Sequence, residues 1–295
     1  MIYLTKEDWS NLILSKLSNE ESFKQEFLDL YKIHNVLKIF TRNIYVKSNE
    51  QSSILIAAQI IFHKYRICSN FSLNKYSSEE LYIILGACLF IGQKAINILG
   101  IRIDHLSKFI RQLILKKEPN KKIEINEINN KLKEREMEIL TIIGFNIYVD
   151  FPFPFFNKIK TIISNSNINS DNFITLLNYF IKDSFILPLS LYYTPNTITI
   201  SCVYILKQKY NLHHINLKEL ISQSEYDLDE GEIQECASLI QKLEAAISEK
   251  KNNQINNSKI ASNINTNTNT NNTNTMNSEE ASVTKIIPSI KMNIN

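Results

Sequence analysis

Apolar and polar positions divide the chain into stretches that read at helical spacing and stretches that do not. From Ile54 to Tyr65 the run ILIAAQIIFHKY is apolar nearly all round a helix, since Ile54, Ile56, Ala57, Ala58, Ile60, Ile61 and Phe62 leave little polar face. Such a helix belongs at the centre of a bundle, and the small pair Ala57 and Ala58 lets its neighbours come close. A polar turn follows and ends in Ser77, Ser78, Glu79 and Glu80, an N-cap candidate with an acidic first turn. The next helix, Ser78 to Lys94, is almost wholly apolar from Leu81 to Ile91 and closes on Lys94, a lone cation.

Three more stretches complete a first group. Phe23 to Ile44 carries one stripe of Phe27, Leu30, Tyr31, His34, Leu37 and Phe40, in which His34 reads as a core or boundary histidine. Ile103 to Lys116 turns Leu106, Phe109, Ile110, Leu113 and Ile114 inward. Leu132 to Ile143 is a fifth helix, with Gly144 as its natural stop. The polar segment Lys117–Asn130, broken at Pro119, reads as a loop or a fraying end. Upstream, Trp9, Leu12, Ile13 and Leu17 mark a short amphipathic arm that packs on its own domain or docks a partner.

At FNIYVDFPFPFF, Phe145 to Phe156, the periodicity stops. Pro152 and Pro154 bar a continuing helix and imply an extended linker between two helical units. The second unit shows Asp171–Leu187, altered near Pro188, then Asn196–Tyr210 started by Pro195, then Leu217–Ser222 and Asp229–Ser248. Beyond Lys250 the composition turns to Asn, Thr and Ser, which cannot build a core, so disorder is expected. The expected organisation is an N-terminal helical arm at 1–22, a first unit at 23–150, a second at 151–249 and a tail at 250–295. The fold class is all-α: two bundles of about five helices each, a repeated plan without evident sequence identity.

Composition agrees with this picture. In 295 residues there are only 5 glycines and 6 prolines, few for a chain rich in sheet, and no sustained alternation suggests strands. The net charge of +3 is too small to argue for nucleic acid. Cys68, Cys88, Cys202 and Cys236 are widely spaced, so core thiols in a reducing compartment are expected, not a disulfide ladder or a metal knuckle. No basic-then-apolar leader and no apolar run of spanning length is seen. Neither a Gly-rich phosphate loop, a metal-ligand cluster nor a nucleophile elbow is present, and adjacent His213 and His214 read as loop histidines. The residues offer no cofactor, metal or catalytic site.

The order of these pieces resembles a cyclin. ILIAAQIIFHKY, then ELYIILGACLFIGQK, then EMEILTIIGFNIYVDFPFPFF follow the plan of a first cyclin box, with the transcription-associated cyclins C, H, K, L and T the most similar group. Glu136, Leu140, Gly144 and Phe145 match that group's pattern, and YYTPNTITISCVYILKQKY resembles the second helix of a second box. The resemblance implies a regulatory subunit, not an enzyme, with a cyclin-dependent kinase as partner. Further transcription or cell-cycle proteins remain open as partners, and neither membrane nor direct nucleic acid is expected. It implies a role in transcription or cell-cycle control and a nuclear location, the cytoplasm being open as a second compartment. It assigns kinase binding to Lys94 and Glu136 and an apolar surround to Ile91, Leu140, Phe145 and Ile147. Two departures stand out: an acidic pair usual after the lysine is replaced by Ala95-Ile96-Asn97, and LKIFTRNIY lacks the substrate-docking patch of cell-cycle cyclins. A helical adaptor resembling transcription factor IIB, with no kinase partner, is the alternative reading.

Overall fold

The computed structural model describes residues 5, 7, 20–44, 47, 50–69, 71–98, 100–164, 170–212 and 215–265. The expected arm at Trp9–Leu17, the His213–His214 pair and residues 266–295 lie outside them. Ten α-helices and no strand are found among the described residues.

The first set is α1 (Glu20–Asn43), α2 (Gln51–Cys68), α3 (Ser78–Ala95), α4 (Ile103–Lys117) and α5 (Ile125–Ile142). Helix α2 is buried without interruption from Ile54 to Tyr65, as its all-round apolar pattern requires. It lies closely against α3: a Cβ on Gly92 would stand 2.8 Å from the Ala58 backbone nitrogen. Ala57, Ala58 and Gly92 are thus the small residues that permit this approach. A capping box opens α3. The Ser77 N–H donates to Glu80 Oε2 at 2.8 Å, and the Glu80 N–H donates to Ser77 Oγ at 3.2 Å. Helix α3 packs against every other helix of its set.

Helix α5 begins at Ile125, inside the stretch expected to be a loop. Its inner stripe there is one residue wide, Ile128 and Leu132 among polar neighbours, too narrow to stand out by periodicity. It ends as expected at Gly144, whose φ is +60°. The Phe145 N–H donates to Leu140 O and the Gly144 N–H to Thr141 O, the paired bonds of a Schellman motif.

The second set is α6 (Phe153–Ser164), α7 (Ser170–Ser184), α8 (Pro195–Lys209), α9 (Leu217–Ser222) and α10 (Glu230–Asn265). The extended linker is shorter than expected, because α6 begins at Phe153 with Pro154 in its first turn. There the missing amide proton would have had no partner inside the helix. Counting α6 makes α8 the third helix of its set, where the sequence resemblance had placed it second. Helix α10 runs past Ser248 to Asn265, since neither Gly nor Pro interrupts KKNNQINNSKIASNIN.

The third helices α3 and α8 occupy equivalent places, and α8 packs against α6, α7, α9 and α10. Each ends on an asparagine in the left-handed region, Asn97 (φ 55°) and Asn211 (φ 52°). In both, the following amide returns to the helix: Ile98 to Gln93 O and Leu212 to Lys207 O, each at 3.0 Å. The side chains of Gln93 and Lys207 then both donate forward to a buried isoleucine carbonyl eight residues on, Ile101 at 2.8 Å and Ile215 at 2.7 Å. This is the internal repeat, carried by geometry where residue identity has faded.

One continuous hydrophobic core joins both sets. At their junction α2 packs on the 3-10 turn Pro188–Leu191, and the buried His63 Nε2 lies 3.1 Å from Phe185 O. His34 is buried within the first set, its Nδ1 accepting from Gln59 Nε2 at 2.7 Å. Burial lowers the His34 pKa to about 3, helped by Lys38 and Arg42. Burial also lowers His63, to about 4, against its backbone hydrogen bonds. Cys88, Cys202 and Cys236 are buried thiols, whereas Cys68 is exposed.

Candidate functional site

The ends of α3 and α5 bring the two expected polar residues together. Lys94 Nζ donates to Glu136 Oε1 at 2.6 Å. The lysine is half in water, with side-chain exposure of 45%, while the glutamate is held at 14%. The ammonium also stands 4.4 Å from the centre of the Phe90 ring, one turn back on α3. Phe90 is thus a contact of the lysine that the sequence resemblance did not name.

The apolar surround is only partly as expected. Leu140 and Ile147 are half-buried, and Phe145 is 61% exposed. Ile91 is buried at 1% and offers no outer surface; it points from α3 into the core. Met137, next to Glu136, is 58% exposed, and Tyr148, three residues past Phe145, is 54% exposed. Met137 was legible in principle: it is an apolar residue off the stripe Ile128, Leu132 and Ile139, so no core position claims it. Tyr148 carried no comparable signal, because an extended segment has no helical face to read.

Phe145 has a further peculiarity. Its φ of 55° follows the left-handed Gly144 directly. For a bulky side chain this costs on the order of 1–3 kcal/mol and persists only where the surroundings impose it. The strain turns the chain sharply off α5 and leaves the aromatic ring in solvent.

The segment beyond is tied from within. Lys64, buried on α2, donates to Asn146 O at 3.1 Å, Asn146 Oδ1 at 3.3 Å and Tyr148 O at 2.7 Å. The site is therefore a corner: an ion pair, a strained exposed aromatic, and an edge fastened to the core.

No family model matches the chain, and no curated protein matches it. Among solved structures, the Ccl1 chain of the yeast TFIIK (Kin28/Ccl1/Tfb3) complex is similar, with 14% identity and a TM-score of 0.52, over 81% of this chain and 96% of that one. The chain has a cyclin fold. The CAK complex of Chaetomium thermophilum bound to ATP-gamma-S also aligns, at 12% identity and a TM-score of 0.46, over 82% of this chain and 76% of that one. In the cyclin fold of this protein, the Lys94–Glu136 corner stands at one end of the first bundle. Among the described residues no helix is long and apolar enough to cross a membrane.

Proposed function

We propose that this protein is a cyclin: a regulatory subunit that binds a cyclin-dependent serine/threonine kinase and holds it active. The carrying observation is the corner itself, where Met137 and Phe145 are exposed on the helix and turn that also present Glu136 to Lys94. Large apolar side chains left in water beside a partly shielded ion pair are what a partner helix needs: area to dry and charges to fix register. The fold shared with Ccl1, found in a complex with Kin28, supports the same reading.

The protein supplies no chemistry in this role. The kinase carries the phosphoryl-transfer residues, and the subunit acts by favouring the arrangement in which the kinase's own lysine–glutamate pair is formed. A place in transcription, in the nucleus, follows from the resemblance to the transcription-associated cyclins. The substitution of Ala95-Ile96-Asn97 for an acidic pair removes rim charges, which sets partner choice and on-rate more than core affinity.

The test is reconstitution. Each cyclin-dependent kinase of the source organism, purified, is assayed for peptide phosphorylation with and without this protein. At least one should bind it and gain activity; if none binds, the reading fails.

A further inference from the structure

Lys64 is a buried lysine whose three acceptors among the described residues include no carboxylate: two are backbone carbonyls and one is the Asn146 amide oxygen. A buried ammonium is costly unless its protons are satisfied, and here three protons meet three oxygens. Burial lowers its pKa to about 8, with the Cys68 thiol on its own helix acting the other way. An apolar residue of similar size would fill the space at lower cost, so stability alone does not explain a charge at this place.

All three acceptors lie on one short segment, and that segment carries the exposed edge. Phe145 and Tyr148 flank Asn146 and Ile147 and are both more than half exposed. Their backbone lies past the end of α5 and is fastened to it at its start, where the Phe145 N–H donates to Leu140 O and the Asn146 N–H to Ile143 O. Lys64 reaches it from the central helix of the bundle. We propose that Lys64 is a positioning residue, fixing the Asn146–Tyr148 backbone so that Tyr148 extends the kinase-docking corner beyond Phe145. This rests on the kinase-subunit reading above and adds to it a contact, Tyr148, and the residue that sets it.

The experiment uses the full chain and the kinase that reconstitution identifies. Lys64→Met keeps the length and apolar stem but removes every donor. Amides of residues 145–149 should then exchange roughly tenfold faster, while those of α3 keep their protection. Kinase affinity should fall about tenfold, and Tyr148→Ala should lower it by a similar factor with an unchanged melting temperature. A rise in exchange spread evenly over α2 and α3 would show Lys64 to be an ordinary core support and overturn the proposal. So would unchanged exchange at 145–149, or unchanged affinity in Tyr148→Ala. If Lys64→Met does not fold, Asn146→Ala, which removes one acceptor and no core atom, carries the same expectations on a smaller scale. Failure of the two readings is distinguishable. A wild-type chain that binds none of the kinases ends both, whereas weakened binding in Lys94→Ala with normal binding in Tyr148→Ala ends this one alone.

Discussion

The two bundles lock their third and fifth helices in the same way, yet they differ in what surrounds the lock. In the first, Lys94 at the end of α3 pairs with Glu136 on α5 and stands over the Phe90 ring. In the second, Lys209 at the end of α8 pairs with Glu244 on α10 and stands 5.6 Å from the centre of the Phe180 ring. An ion pair between third and fifth helices is therefore a feature of the repeated fold and does not by itself mark an interface. What differs is the rim. Met137 and Phe145 are exposed beside the first pair, whereas none of the exposed large apolar residues lies on α8 or on the stretch of α10 from Glu230 to Lys250. Helix α5 stops in a strained turn that throws an aromatic outward, while α10 runs on as helix to Asn265. The apolar rim, more than the charges, is what the proposed docking at the first bundle rests on.

That comparison breaks most severely at the helix approach. The repeat aligns Gly92 of α3 with Leu206 of α8. Gly92→Leu has no room against the Ala58 backbone, and we expect a loss of more than about 3 kcal/mol or no folding. Leu206→Ala, a cavity in the other bundle, should cost about 2–5 kcal/mol yet leave a folded protein. Thermal melting decides it, and a near-normal melting temperature for Gly92→Leu would dismiss the close packing.

The core of the first bundle and its junction with the second should weaken in acid, through His34 and His63 respectively. Above pH 6.5 both His34 and His63 are neutral, folded or unfolded, and neither costs stability. As pH falls, the unfolded histidines take protons from their ordinary 6.5 downward, while the folded ones resist to about 3 for His34 and about 4 for His63. Stability is thus lost as pH falls from 6.5 toward 4, by on the order of a few kcal/mol. A proton on His63 Nδ1 would find no hydrogen-bond partner. His63→Gln, which can still donate to Phe185 O without titrating, should flatten much of the acid limb in urea titrations from pH 7 to about 4.5. An unchanged limb would clear His63 of the effect.

At the rim, Phe145→Gly should separate function from stability. Glycine accepts the left-handed backbone that phenylalanine strains, so folding should gain about 1 kcal/mol. Kinase affinity should drop by about 2 kcal/mol or more, as for an interface aromatic. Calorimetric titration beside a denaturation curve measures both, and retained affinity would move the docking face elsewhere.

The smallest effects belong to the charges. Lys94→Ala and Glu136→Ala should each weaken kinase binding by about 1–2 kcal/mol, with stability changed by less than about 1 kcal/mol. Lys209→Ala and Glu244→Ala should change stability as little and leave kinase binding alone. Equal binding losses in the two pairs would erase the distinction between the bundles.

The chain's own pattern carried much of this. The all-round apolar run Ile54–Tyr65, the Ser77 cap, the Gly144 stop and the helix starting at Pro195 were legible because each depends on neighbours within a turn or two. So was the pairing of Lys94 with Glu136, through the family resemblance. Short-range chemistry could not reveal the first turns of α5, the helix α6 behind its prolines, or the burial of Ile91, because those depend on what packs alongside. Nor could it show that Lys64 reaches from the core to the Asn146–Tyr148 edge. Such a contact joins residues far apart in sequence, and a lysine in an apolar helix gives no sign of which carbonyls will meet it. Local hydrogen bonding and periodicity wrote the helices into the sequence; the exposed corner exists only once two helix ends and an inner lysine have been folded together.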